Sequence, residues 1–181
     1  MNSILERKIS KFTNSIRQAV KEENWYAALT FALTLPDICG KLEFKSQGST
    51  KRYVQWFNEN LLEKYSMTLF GNKIVFFSGK DAYALRCAYL HGGEVDINEQ
   101  RIKEVLSAFV FVAPDKGRAA HCARIEDQLL LRVDEFCEDI CSAVDVWVEN
   151  NKENKDMQKS ADKILEIKTG GVLFPDGVYV G

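Results

Sequence analysis

Between Asp134 and Glu149 the residues Phe136, Cys137, Ile140, Cys141, Val144, Trp147 and Val148 recur at steps of three and four. Glu135, Glu138, Asp139, Asp145 and Glu149 fall off that stripe. A strand turns alternate side chains to opposite faces and cannot gather this pattern, whereas one face of a helix can. A helix so apolar on one side must bury it against other elements, so the segment predicts a central core helix.

The same period returns elsewhere. From Asn2 to Lys21 it is carried by Ile4, Leu5, Ile9, Phe12, Ile16, Ala19 and Val20. After Asn24, a good N-cap type, it continues through Trp25, Ala28, Leu29, Ala32 and Leu33 to Pro36, where a break or a new start is expected. LPDICGKLE then reads as a short helical turn. Ser49 or Thr50 caps a third helix with Tyr53, Trp56, Phe57, Leu61 and Tyr65 on its apolar side. Ser78 and Asp81 resemble a capping box for a fourth over 79–91, which Gly92-Gly93 stops. MQKSADKILEIK is a last helix ending at Gly170-Gly171. The fold class is therefore mainly α, a bundle of five to six helices forming one domain over residues 1–168.

Short β-prone runs interrupt it. MTLFGNKIVFF places Gly71-Asn72 between two such runs, which reads equally as a hairpin signal or as an apolar loop pinned to the core. Phe109 to Ala113, with QLLLRV as antiparallel mate, predict a β-hairpin inserted near 105–133. VLFPDGVYV reads as a C-terminal hairpin or tail over 169–181.

Charge narrows the partners. Lys and Arg total 24 against 26 Asp and Glu, a net −2, so no bulk positive field draws nucleic acid or anionic membrane, and any such contact must be local. Glu6, Arg7 and Lys8 stand where a signal peptide needs its apolar stretch, and no apolar run is long enough to span a bilayer. Five cysteines, an odd number set among apolar neighbours, suit reduced core thiols better than a disulfide framework. The expected setting is the cytoplasm, with no membrane contact.

SGKDAYALRCAYLHGG carries Arg86 and, five positions on, His91. An ideal helix turns two such side chains roughly 140° apart, so a joint site requires either unwinding at the glycines or two copies facing each other across one cleft. An imidazole can take the proton of a ribose 2′-hydroxyl, and a guanidinium can hold the phosphate on which charge builds, which together cleave RNA without a metal. The plainer account has Arg86 tying helices through a carboxylate and His91 capping its own helix.

ALRCAYLHGG on a capped helix resembles the HEPN family, whose signature is an arginine and a histidine with four to six residues between them. The resemblance implies an HEPN-like helical bundle and a metal-independent endoribonuclease of toxin–antitoxin, anti-phage or RNA-processing settings. It implies RNA as substrate, a homodimer with a shared cleft, and an antitoxin or regulatory protein as further partner. It assigns phosphate binding to Arg86 and general base or acid work to His91. Cys87 stands where HEPN ribonucleases often carry a polar Asn, Asp or His, and the family also contains non-catalytic modules that bind RNA, nucleotide or a partner protein.

Asp37 is a candidate to orient a catalytic side chain, although an Asp after Pro more often starts a helix. Lys116, Arg118 and Arg124 flank the inserted hairpin and are candidates for backbone contact with RNA. His121, Cys122, Cys137 and Cys141 offer zinc-ligand types, but the cysteine pair lies on the apolar stripe without a CxxC knuckle, so neither metal nor cofactor is expected. No phosphate-binding glycine loop is present.

Overall fold

A computed structural model describes residues 3–97, 104, 106–114, 120–168, 170–175 and 177–181. Six helices dominate the described residues: α1 (Ile4–Lys21), α2 (Trp25–Glu43), α3 (Ser49–Leu61), α4 (Gly79–Gly92), α5 (Val133–Asn151) and α6 (Lys155–Ala161). Helix α2 lies at the centre, packing on α1, α3 and α5, and α3 carries α4 on its other side. The stripe on α5 is the core stripe, with Phe136, Cys137, Ile140, Cys141 and Val144 fully buried. Among the described residues no helix is long and apolar enough to cross a membrane.

Four local expectations change. Helix α2 runs through Pro36 instead of stopping there. Proline removes the ladder hydrogen bond to the Ala32 carbonyl and crowds the preceding turn, while carbonyls on either side of it are bonded by side-chain hydroxyls: Thr34 donates to that of Phe31 (2.8 Å) and Tyr53 to that of Leu33 (3.3 Å). Burial of Leu33, Leu35, Cys39 and Leu42 holds both halves in one line. The cap of α3 is Gly48, with no side-chain bond from Ser49 or Thr50. Helix α6 starts and stops earlier than the apolar pattern implied, because Asn154 caps it by accepting the N–H groups of Asp156 and Met157 (both 3.1 Å). Asp139, placed off the α5 stripe, is buried.

The strands form three small sheets. Strands β1 (Ser66–Leu69) and β2 (Asn72–Val75) make the first hairpin, turning at Phe70-Gly71, one residue before the expected pair. Both turn residues have positive φ (49° and 80°), as a two-residue hairpin turn requires. The insertion departs further: β3 (Ala108–Val112) pairs in parallel with β5 (Gln128–Arg132), and β4 (Ala123–Ile125) supplies the antiparallel mate. β4 returns to β5 through a tight turn at Glu126-Asp127, leaving β5 central and running the same way as β3. ARI is too short and too polar to announce a strand by pattern. β6 (Val172–Leu173) and β7 (Tyr179–Val180) pair as the C-terminal hairpin.

The seating of α4 depends on Gly79. A Cβ there would meet the Val54 carbonyl oxygen at 2.5 Å and the Asn58 side chain at 2.8 Å, so α4 approaches α3 as closely as a glycine allows. Gly79→Ala should therefore destabilise by about 1–3 kcal/mol, an overpacking cost, read as a lower urea midpoint with unchanged slope. An unchanged midpoint would mean that α4 can move off α3 freely.

Candidate functional site

Helix α4 is held at both ends, and this places Arg86 and His91. At its start the Ser78 hydroxyl accepts the Asp81 N–H (3.2 Å) and donates to the Asp81 carboxylate (2.9 Å), whose other oxygen accepts the Glu104 N–H (2.8 Å). At its end Gly93 adopts φ 71°, and the N–H groups of Gly93 and Glu94 bond back to Tyr89 and Ala88. The left-handed glycine closes the helix directly after His91, leaving the imidazole exposed in the last turn.

Arg86 and His91 meet within one chain: Arg86 Nη1 lies 3.3 Å from His91 Nε2. The expectation that unwinding or a second copy is needed is therefore corrected. The 140° argument concerns where side chains leave the helix, whereas an arginine stem is long enough to bring its planar head around the cylinder. A guanidinium only donates, so this contact is a hydrogen bond when Nε2 carries its lone pair, the form in which it can take a proton.

Asp37 supplies the direction. Its Oδ2 accepts from Arg86 Nε at 2.8 Å, with about a quarter of each side chain exposed. It does so from the middle of α2, not from a helix start, because the helix continues through Pro36. Burial pushes the Asp37 carboxyl up, and the charges of Arg86 and Arg52 only partly pull it back. Burial works against the Arg86 charge too, but Asp37 and the Cys87 thiol outweigh it, so the guanidinium is held more firmly protonated than usual. Three of the four residues singled out by sequence, Asp37, Arg86 and His91, thus form one chain of contacts, with Cys87 beside it. Arg52 was missed, since nothing in the local pattern of α3 announces a neighbour on α2.

A second polar cluster gathers around Asp139. Its carboxylate accepts from the buried Tyr65 hydroxyl (2.9 Å), pairs with Lys64 (2.6 Å) and faces His121 Nε2 at 3.4 Å. His121 Nδ1 accepts the Arg132 backbone N–H (3.1 Å), so the ring ties the end of β5 to α5 and to Tyr65 in the turn after α3. Burial and the Asp139 charge push the neighbouring Cys122 thiol up, which disfavours the thiolate a cysteine nucleophile needs. Cys137 and Cys141 lie inside the core, the latter pushed up to about 12 by burial. Among the described residues no three His, Cys, Asp or Glu side chains converge as metal ligands. Lys116 and Arg118 fall outside the described residues, and Arg124 is exposed with its Nε on the Glu126 carbonyl.

Burial pushes Asp139 up, yet the facing His121 ring, the Lys64 ammonium and the Tyr65 hydroxyl outweigh it and hold it below the ordinary value. A depressed folded pKa contributes stability that is present above the unfolded value and lost as pH falls through the folded one. Asp139→Asn should cost about 1–3 kcal/mol at pH 7, and its deficit relative to wild type should shrink below roughly pH 4. A deficit that stays constant from pH 7 to pH 3 would show that the charge of Asp139 contributes nothing.

Comparison with protein-family models, with curated proteins and with solved structures gave no match.

Proposed function

We propose that the chain is an HEPN-like, metal-independent endoribonuclease acting in the cytoplasm as a toxin or anti-phage effector. The observation that supports this reading most is the approach of Arg86 to His91 at 3.3 Å, with Asp37 fixing the far side of the guanidinium. In this reading a scissile phosphate takes over the Arg86 Nη groups, the Nη1–Nε2 contact opens, and the freed lone pair of His91 Nε2 takes the proton of the ribose 2′-hydroxyl. The 2′-oxygen bonds to phosphorus, the bond to the 5′-oxygen breaks, and the leaving oxygen takes a proton from imidazolium or water. The products are a 2′,3′-cyclic phosphate and a 5′-hydroxyl. A homodimer through the exposed end of α4 would bring a second His91 as the acid, and an antitoxin or regulatory protein would act by covering that end.

One observation favours a non-catalytic module that binds RNA, nucleotide or a partner protein. Arg86 already has a carboxylate partner, so its charge is in part spent on joining α2 to α4. Incubation of the pure protein with RNA in EDTA separates the two. Cyclic-phosphate ends, together with resistance of a substrate carrying 2′-deoxyribose at the scissile position, fit the enzyme. Intact RNA across structured and unstructured substrates leaves the binding module.

A further inference from the structure

Between α2, the first turn of α3 and the segment that follows α6 lies a cavity of about 540 Å³. Its floor is formed by Phe12, Ile38, Leu42 and Ile164, and its rim by Lys41, Lys45, Arg52 and Lys163. Among the described residues no Asp or Glu lines it. The volume is that of a small-molecule site.

The rim stands apart from the other charged surfaces. The chain has more acids than bases, and many of its cations are paired, as Arg17 is with Glu138 and Asp145. Yet among the described residues none of the four rim cations has a carboxylate within ion-pair distance. Lys45 donates only to the Asp156 carbonyl (3.0 Å) and Arg52 Nη1 only to the Gln47 carbonyl (3.0 Å). Arg52 Nε is buried without a hydrogen-bond partner, so the guanidinium is not fully satisfied within the protein. Four like charges gathered around an apolar hollow repel one another until an anion enters. With Leu165 the apolar lining has one aromatic ring and four aliphatic side chains, a surface for a flexible hydrocarbon more than for a stacked planar base.

We propose that this cavity binds a small amphipathic anion, an aliphatic acid or phosphate ester, with its hydrocarbon on Phe12, Ile38 and Ile164 and its charged head among Lys41, Lys45, Arg52 and Lys163. The site does not rest on the ribonuclease reading and uses neither Arg86 nor His91, although Arg52 also acts on Asp37 by its charge.

Calorimetric titration of the full chain at low salt tests it with octyl phosphate, butyl phosphate, inorganic phosphate, octanol and ATP, each below any aggregation threshold. Octyl phosphate should bind once per chain, and affinity should rise about 3- to 4-fold per added methylene from butyl to octyl. Lys41→Glu with Lys163→Glu, both exposed and unpaired, should weaken octyl phosphate about 10- to 100-fold without lowering the melting temperature. Ile38→Asp should also abolish the chain-length dependence. The proposal is overturned if octanol binds as well as octyl phosphate, if inorganic phosphate does, if ATP binds more tightly than both esters, or if the double variant keeps wild-type affinity.

Discussion

His91→Ala should lower the rate of RNA cleavage about 10²- to 10⁴-fold, the usual contribution of a positioned general base. It should do so without loss of stability, because the imidazole is exposed and its side-chain polar contact among the described residues, at 3.3 Å, is with Arg86. Arg86→Ala should lose activity by a comparable factor, on the order of an oxyanion-hole deletion. It differs in also leaving Asp37 partly buried without its partner, so its melting temperature should drop. Arg86→Lys should rescue stability better than activity, since an ammonium can pair with Asp37 but cannot hold Asp37 and a phosphate at once through separate nitrogens. Asp37→Asn then isolates positioning: the guanidinium stays but loses its anchor, so the rate should fall while the pH profile set by His91 keeps its shape. Equal cutting by wild type and His91→Ala would remove the enzymatic reading, and cutting lost only in variants that also unfold would leave it without support.

Phe77→Ala should be among the most destabilising single changes, about 3–5 kcal/mol, or about 6–20 °C in melting temperature for a chain of this size. Phe77 is fully buried and sits where the separate elements meet. Its ring packs edge-on against Phe57 of α3 (5.1 Å), Tyr65 (5.3 Å) and Phe109 of β3 (5.1 Å), and at a tilt against Phe136 of α5 (6.2 Å). Truncation would open a cavity bounded by side chains that belong to four different segments, so no single element can move in to fill it. Phe77→Leu should recover much of the loss because it restores volume without the ring geometry. A cost below 1 kcal/mol for the alanine variant, measured by denaturant melting, would contradict the packing described here.

Phe77 also marks where local pattern stops being informative. MTLFGNKIVFF reads from sequence as a hairpin or as an apolar loop pinned to the core, and it is both: β1 and β2 are mostly exposed, while Phe77 just beyond them is buried. The helical stripes were legible because 3.6-residue periodicity is a local consequence of burying one face, and the caps at Asn24 and Ser78 were legible because they bond within three residues. The parallel pairing of β3 with β5 was not, since it depends on where β4 turns and a parallel mate leaves no signature at short range. The passage of α2 through Pro36 was hidden for the same reason: the burial that holds this stretch, and the Tyr53 hydroxyl on the neighbouring Leu33 carbonyl, involve other helices.

The candidate site divides along the same line. The sequence by itself determined that Arg86 and His91 lie on one capped helix that ends at Gly93, because capping, periodicity and a left-handed glycine are properties of neighbouring residues. Only the tertiary structure decided that the two side chains touch, that Asp37 stands mid-helix to aim one at the other, and that four unpaired cations from three segments rim one apolar cavity. Side-chain reach and the crossing of α2 with α4 set those distances, and both arise from packing between segments far apart in the chain, where local period carries no information.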